Sequence, residues 1–319
     1  MESAARVALA QRRLQSVLSS HTVATARTLE QKIADAGPAD QRIDPHVLTV
    51  ARDLLETDGI IQRIPNRTVP WFYLTGTEPG LLASRLAEQQ LIHNQLMKQR
   101  FCMRCGQTLE IAIFKALKNQ DITFLGSFPD LDSHDDSLLY SKEEPPSSLS
   151  GRTIPLGKKL DFLLIHSANG AVGIEAKNIR DWIYPDSAAI HELIFKCCYL
   201  NAVSVMIARR IAYVTFSVLN PCGLIFHQNY NQLFPNADAI LADKARHKKL
   251  LEYHDIRVGN EPDKRLTLFL HTNLQKVLPV ARAGFEIFKD LLTKYSTREI
   301  GYDAFAAIAA KRARELGLR

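Results

Sequence analysis

Three residues near the middle of the chain have the types and spacing for phosphate chemistry: Asp161, Glu175 and Lys177. They lie in KKLDFLLIHSANGAVGIEAKN, residues 158–178, which reads as two apolar strands joined by a Gly-containing turn. Side chains alternate along a strand, so Glu175 and Lys177 share one face of the second strand while Ile174 and Ala176 take the other. A carboxylate and an ammonium on one face of an apolar hairpin are unfavourable unless they pair or bind something. Two readings follow: a surface salt bridge between Glu175 and Lys177, or, with a second carboxylate, a site for Mg²⁺ and phosphate.

Hairpin register decides whether Asp161 supplies that second carboxylate. A three-residue loop of Ala168, Asn169 and Gly170 sets Asp161 opposite Lys177 and diagonal to Glu175, on their face. A two-residue Asn169-Gly170 loop sends Asp161 to the opposite face. The expectation is the odd-length loop.

The order Asp161, a gap of thirteen residues, then Glu175-Ala176-Lys177 resembles the motif of the PD-(D/E)xK nucleases, the restriction-endonuclease-like family. Leu160 stands where that family's name has Pro. The resemblance implies an α/β fold, a mixed sheet flanked by helices. It implies that Asp161 and Glu175 hold Mg²⁺, for which Mn²⁺ can substitute, with help from the backbone carbonyl of Ala176. Lys177 would assist the attacking water. Glu110, on a helix before the first strand, matches the acidic residue that completes the metal site in this family, and an ordinary helix-surface glutamate is the other reading. Lys196 and Tyr199 fall where some members place further polar residues, as does His191. The implied activity is Mg²⁺-dependent hydrolysis of phosphodiester bonds in double-stranded DNA, of the restriction or genome-defence kind. Cutting both strands suggests a homodimer.

The surrounding elements fit that setting. Gln107–Lys118 has the apolar spacing of a helix, with Leu109, Ile113, Phe114 and Leu117 on its stripe. Ile122–Phe128 reads as a first strand, Ala188–Val203 as a helix, and Arg210–Leu219 as a strand from its β-branched and aromatic content. Cys222–Gln228 is a further candidate strand. Residues 129–151 are acidic and rich in Ser and Pro, and read as a long exposed loop. Its literal Pro129-Asp130 is set aside because Asp161 sits in a strand at a suitable distance from Glu175. Farther on, residues 238–254 read as a basic helix, Arg265–His271 as a strand, and Val280–Tyr295 and Ala304–Leu316 as helices.

The first 80 residues have a different rhythm. Helical spacing over residues 4–36 ends at Gly37-Pro38. Asp44-Pro45 then opens a second helix, as N-cap and first helical residue, with Val47, Leu48, Ala51, Leu54 and Leu55 as its stripe. Two short strands follow at Ile60–Ile64 and Pro70–Leu74. Helix, turn, helix and hairpin resemble a winged helix-turn-helix domain over residues 20–76. The resemblance implies DNA contacts from Arg42, His46, Thr49, Arg52, Arg63 and Arg67. A packing or dimerisation module is the other reading. The expected division is therefore a DNA-binding domain over 1–80 and a nuclease domain with a C-terminal helical extension over 81–319.

Composition bounds these readings. The 319 residues are 46% apolar and 23% charged, ordinary for a globular protein with room for two domains. The net charge of +6 is concentrated in residues 81–120 and 241–319, while residues 1–80 sum to zero. Such a balance is compatible with a polyanionic partner. No apolar run is long enough to span a bilayer, and the N-terminus lacks the pattern of a secretory signal, so a cytoplasmic protein without a membrane partner is expected. Five cysteines, an odd count, argue against a disulfide framework. Cys102 and Cys105 have the spacing of a metal knuckle without a second pair. The absence of a glycine-rich phosphate loop or a G-x-S-x-G elbow argues against a metabolic α/β enzyme. Two rivals remain: a non-catalytic DNA-binding regulator, and a nuclease of the same fold acting on RNA or on branched or damaged DNA.

Overall fold

Pro45 opens helix α3, Pro45–Thr57, with Asp44 at the N-cap but without a side-chain capping bond, in the computed structural model, which describes residues 4–34, 42–66, 69–118 and 123–317. The chain is mixed α/β and divides into two compact units. The first comprises Met1–Cys102 with Asp238–Ile256, the second Met103–Ala237 with Arg257–Arg319. This division differs from a single cut at residue 80: helix α4 (Pro79–Leu96) goes with the first unit, and so does a segment from the C-terminal third.

In the first unit α1 (Ala4–His21), β1 (Val23–Thr25) and α2 (Ala26–Ile33) precede α3, and β2 (Ile61–Ile64) and β3 (Trp71–Leu74) follow it. The Thr25 hydroxyl accepts the Thr28 N–H at 3.0 Å, which starts α2 by satisfying one of its free amides. The strands form an antiparallel sheet in the order β1-β3-β2. Leu14, Leu18, Leu29, Val47, Leu48, Leu55, Trp71 and Phe72 are buried. Residues 238–256 are tied to this unit by Glu252, whose carboxylate accepts from His21 Nε2 and Lys32 Nζ, each at 2.8 Å.

The second unit is built on a five-stranded sheet. Helix α5 (Gln99–Lys118), within which the two units divide, starts earlier than the periodicity from Gln107 indicates. It is followed by β4 (Thr123–Leu125), a small hairpin of β5 (Ser148–Leu149) and β6 (Arg152–Thr153), then β7 (Phe162–His166) and β8 (Gly170–Lys177). Next come α6 (Ala188–Leu200), β9 (Val203–Ala208), α7 (Tyr213–Leu219) and β10 (Ile225–Gln228). Strand order is β10-β9-β8-β7-β4. β4, β7 and β8 pair antiparallel, whereas β8, β9 and β10 are parallel and joined by helical crossovers. Gly173 lets α6 lie close on β8, because a Cβ there would stand 2.6 Å from Cys197 Sγ. After α8 (Ala239–Arg246) in the first unit, α9 (Lys264–Leu268), α10 (Leu274–Ser296) and α11 (Tyr302–Glu315) complete the chain.

Three expectations are corrected. Arg210–Leu219 is not a strand: its last seven residues are helix α7, on which Tyr213 is 83% exposed, so the β-forming residue types never find a sheet to fill. The strand lies earlier, at Val203–Ala208, because Asn201 ends α6 in the left-handed region (φ 56°) and every residue of β9 is buried. Arg265–His271 is likewise helical, running through α9 and a π-turn into α10. The acidic stretch 129–151 is mostly exposed, as expected, and is anchored at two points. Gln107 grips Tyr140 twice, donating to its carbonyl at 2.8 Å and accepting its N–H at 2.9 Å. Asp136 is buried and accepts the backbone N–H groups of Asn236 and Ala237. Finally, the hairpin loop is odd-length, but it is Ser167, Ala168 and Asn169, between the partners His166 and Gly170. His166 Nδ1 accepts the N–H groups of Ala168 and Asn169, and Gly170 (φ 71°) opens β8 rather than closing the loop.

Candidate functional site

The register that pairs Phe162 with Ile174 continues to place Asp161 beside Glu175, not opposite Lys177. The face is unchanged, since the shift is by two residues. Asp161 lies where β8 runs on past the start of β7, and its Oδ2 accepts the Ala176 N–H at 2.8 Å. The N–H and C=O of one strand residue point to the same edge, so the Ala176 carbonyl also faces the Asp161 side.

Three lysines come to these carboxylates from three different elements. Lys177, at the end of β8, donates to Glu175 Oε2 at 3.0 Å. Lys196, on α6, donates to Glu175 Oε1 at 2.7 Å and lies 3.2 Å from Glu192. Lys142, from the acidic stretch, bridges Asp161 Oδ1 at 2.8 Å and Glu110 Oε2, on α5, at 2.7 Å. The side chain of Glu175 is 4% exposed and that of Lys196 7%, while Lys177 at 29% is the most accessible of the three lysines. The Glu175 carboxylate therefore has charged donors on both oxygens, as burial requires.

Electrostatics tie the groups into one cluster. Burial, then the Asp161 charge, push the Glu110 carboxyl up to about 7 against the opposing pull of Lys142. Burial and Asp161 also raise Glu175, opposed by Lys177 and Lys196. Burial disfavours the charge on each of the three lysines. The neighbouring carboxylates outweigh it and hold all three ammoniums above the ordinary lysine range.

The donor set suits a hard cation. Mg²⁺ is commonly bound through one or two carboxylates and keeps several waters, and Asp161 and Glu175 supply two carboxylates, each of whose oxygens already accepts a hydrogen bond from the chain. Among the described residues no group of three His, Cys, Asp or Glu side chains converges to hold an ion. Glu110 reaches Asp161 through Lys142, not directly.

The other expected residues lie apart. Tyr199 is 41% exposed and packs on Phe195, and His191 Nδ1 bonds the Tyr295 carbonyl. The Cys102 and Cys105 thiols bond the carbonyls of Leu96 and Leu233. In the first unit Arg42, His46, Thr49 and Arg63 are exposed. Arg52 is half-buried with its guanidinium 4.9 Å from the Phe72 ring centre, and Arg63 lies 6.0 Å from the same ring. Arg67 lies outside the described residues. Sequence reasoning passed over Lys142, although it is the only lysine or arginine in residues 129–151. No family model, curated protein or solved structure matches this chain.

Proposed function

We propose that the protein is a divalent-metal-dependent nuclease of the PD-(D/E)xK kind, hydrolysing phosphodiester bonds in DNA. The observation that carries this reading is the gathering of Asp161, Glu175 and Lys177 at the C-terminal end of β8, the strand that pairs antiparallel with β7 on one side and parallel with β9 on the other. The order α5, β4, β7, β8, α6, β9 agrees with the core order of that family. In the first unit, the order α1, β1, α2, α3, β2, β3 with the sheet β1-β3-β2 agrees with a winged helix, which would orient the duplex through α3.

Asp161, Glu175 and the Ala176 carbonyl would hold the metal. A divalent ion there supplies a water of lowered pKa and stabilises charge on the scissile phosphate. The remaining work falls to the chain. The Ala176 N–H fixes the Asp161 carboxylate, and Lys196 holds one Glu175 oxygen from the buried side. Lys177, on the accessible side, orients the attacking water or offsets charge as the phosphate accepts it.

One observation favours a second reading. Glu110, Asp161 and Glu175 are matched by Lys142, Lys177 and Lys196, which is also the balance of a purely structural network in a DNA-binding regulator. Cleavage of plasmid and oligonucleotide DNA in Mg²⁺, Mn²⁺ or EDTA separates the two, with RNA and branched substrates run alongside. The nuclease reading expects metal-dependent cleavage by wild type and none by Lys177→Ala or Glu175→Ala. Equal cleavage by wild type and both variants ends it.

A further inference from the structure

Lys142 occupies a position that its chemistry makes unusual. Its ammonium lies within 2.8 Å of oxygens from two carboxylates, Glu110 on α5 and Asp161 before β7. Two hard anionic oxygens around one point are what a divalent cation seeks. Here that point belongs to the chain's own cation.

The backbone around Lys142 is pinned on both sides. Tyr140 is clamped by Gln107. The Ser141 N–H is accepted by both Asp130 oxygens, at 3.0 and 2.9 Å. Glu143 and Ser127 exchange both backbone hydrogen bonds at 2.9 Å, and the Ser127 hydroxyl donates to the Glu143 carboxylate at 2.6 Å. Withdrawing Lys142 by a backbone shift breaks these bonds. Swinging only its side chain leaves Glu110 and Asp161, 15% and 16% exposed, facing each other uncompensated.

We propose that Lys142 is a resident counter-ion that fills the second cation position of the centre, so that the protein loads a single divalent ion, at Asp161 and Glu175, and Glu110 is not a metal ligand. The proposal rests on the metal-nuclease reading above. It departs from an arrangement in which Glu110 helps to hold metal and two ions flank the phosphate. Lys142 is on this view a positioning residue: it sets the Asp161 carboxylate and takes over charge that a second ion would otherwise carry.

The test is to count Mn²⁺ bound to the full chain by electron paramagnetic resonance of the free ion. Wild type is expected to bind one ion. Lys142→Met, which keeps the length of the side chain and removes its charge, is expected to bind two, and Lys142→Met with Glu110→Gln to return to one. Two ions in wild type overturn the proposal whether or not the variants fold. One ion in both wild type and folded Lys142→Met, with the fold checked by circular dichroism, overturns it as well. Both results leave the nuclease reading standing. If neither protein binds Mn²⁺ and Asp161→Asn changes nothing, the metal reading fails and takes the proposal with it.

Discussion

On helix α3 of the first unit, Arg52 lies over the Phe72 ring, its neighbour Asp53 is exposed, and the exposed face also carries Val50 and Leu54. Around β8 of the second unit, Glu175 and Lys196 are buried and bonded to each other at 2.7 Å. Asp53 is solvated, so its 4.0 Å contact with the half-buried Arg52 is worth little to the fold. Glu175 and Lys196 are desolvated, so each depends on its partner. Charges that a fold goes to the trouble of burying locate a site far better than charges left in water.

The largest expected effect is on stability. Lys196→Met leaves Glu175 buried with one of its two donors and is expected to lower unfolding free energy by about 3–5 kcal/mol in urea titrations. Arg63→Ala on the first unit's surface is expected to change it by less than about 0.5 kcal/mol. Similar values for the two would erase the contrast between the units. Next comes the proposed activity: on the nuclease proposal, Asp161→Asn reduces DNA cleavage by about 10²–10³-fold, the range for losing one preorganised charge contact. Matched initial rates would show that the carboxylate is not used.

A pH comparison sharpens the contrast, because the two units hold buried groups of opposite sign. Glu110 is raised to about 7, so the folded state holds its proton more tightly than the unfolded chain. That stability is present below pH 4.5 and is lost as pH rises towards 7. His93, buried beside Trp71, is lowered to about 4 by burial and the Arg27 charge. Its contribution is present above pH 6.5 and is lost as pH falls towards 4. Relative to Glu110→Gln, wild type is expected to lose on the order of 1–3 kcal/mol between pH 5 and 7.5. Relative to His93→Leu it is expected to lose a comparable amount in the other direction, between pH 6.5 and 4.5. Urea titrations at these pH values check both signs, and parallel slopes would refute them. The smallest effect tests the proposal that the first unit reads DNA: on that proposal Arg52→Ala and Arg63→Ala each reduce the salt slope of DNA binding by about 1. Unchanged slopes would assign phosphate contact elsewhere.

How far the chain could be read without coordinates varied with the range of the interaction. Alternation along residues 158–178 and the odd loop put Asp161, Glu175 and Lys177 on one face, because strand parity is local. The start of α3 was legible from Asp44-Pro45 for the same reason. The turn itself was not, since His166 Nδ1 gathers two amides and shifts the loop by one residue. Nor was the choice of Val203–Ala208 over Arg210–Leu219 as the strand, which burial between β8 and β10 decided between two β-prone runs.

The sequence by itself determined which side chains near β8 share a face, through a two-residue period that needs no partner. Only the tertiary structure decided what meets them. Lys142 reaches Asp161 from nineteen residues away and Lys196 reaches Glu175 from twenty-one. Those encounters depend on how a pinned acidic loop and a crossover helix pack on the sheet, and no local pattern encodes that packing.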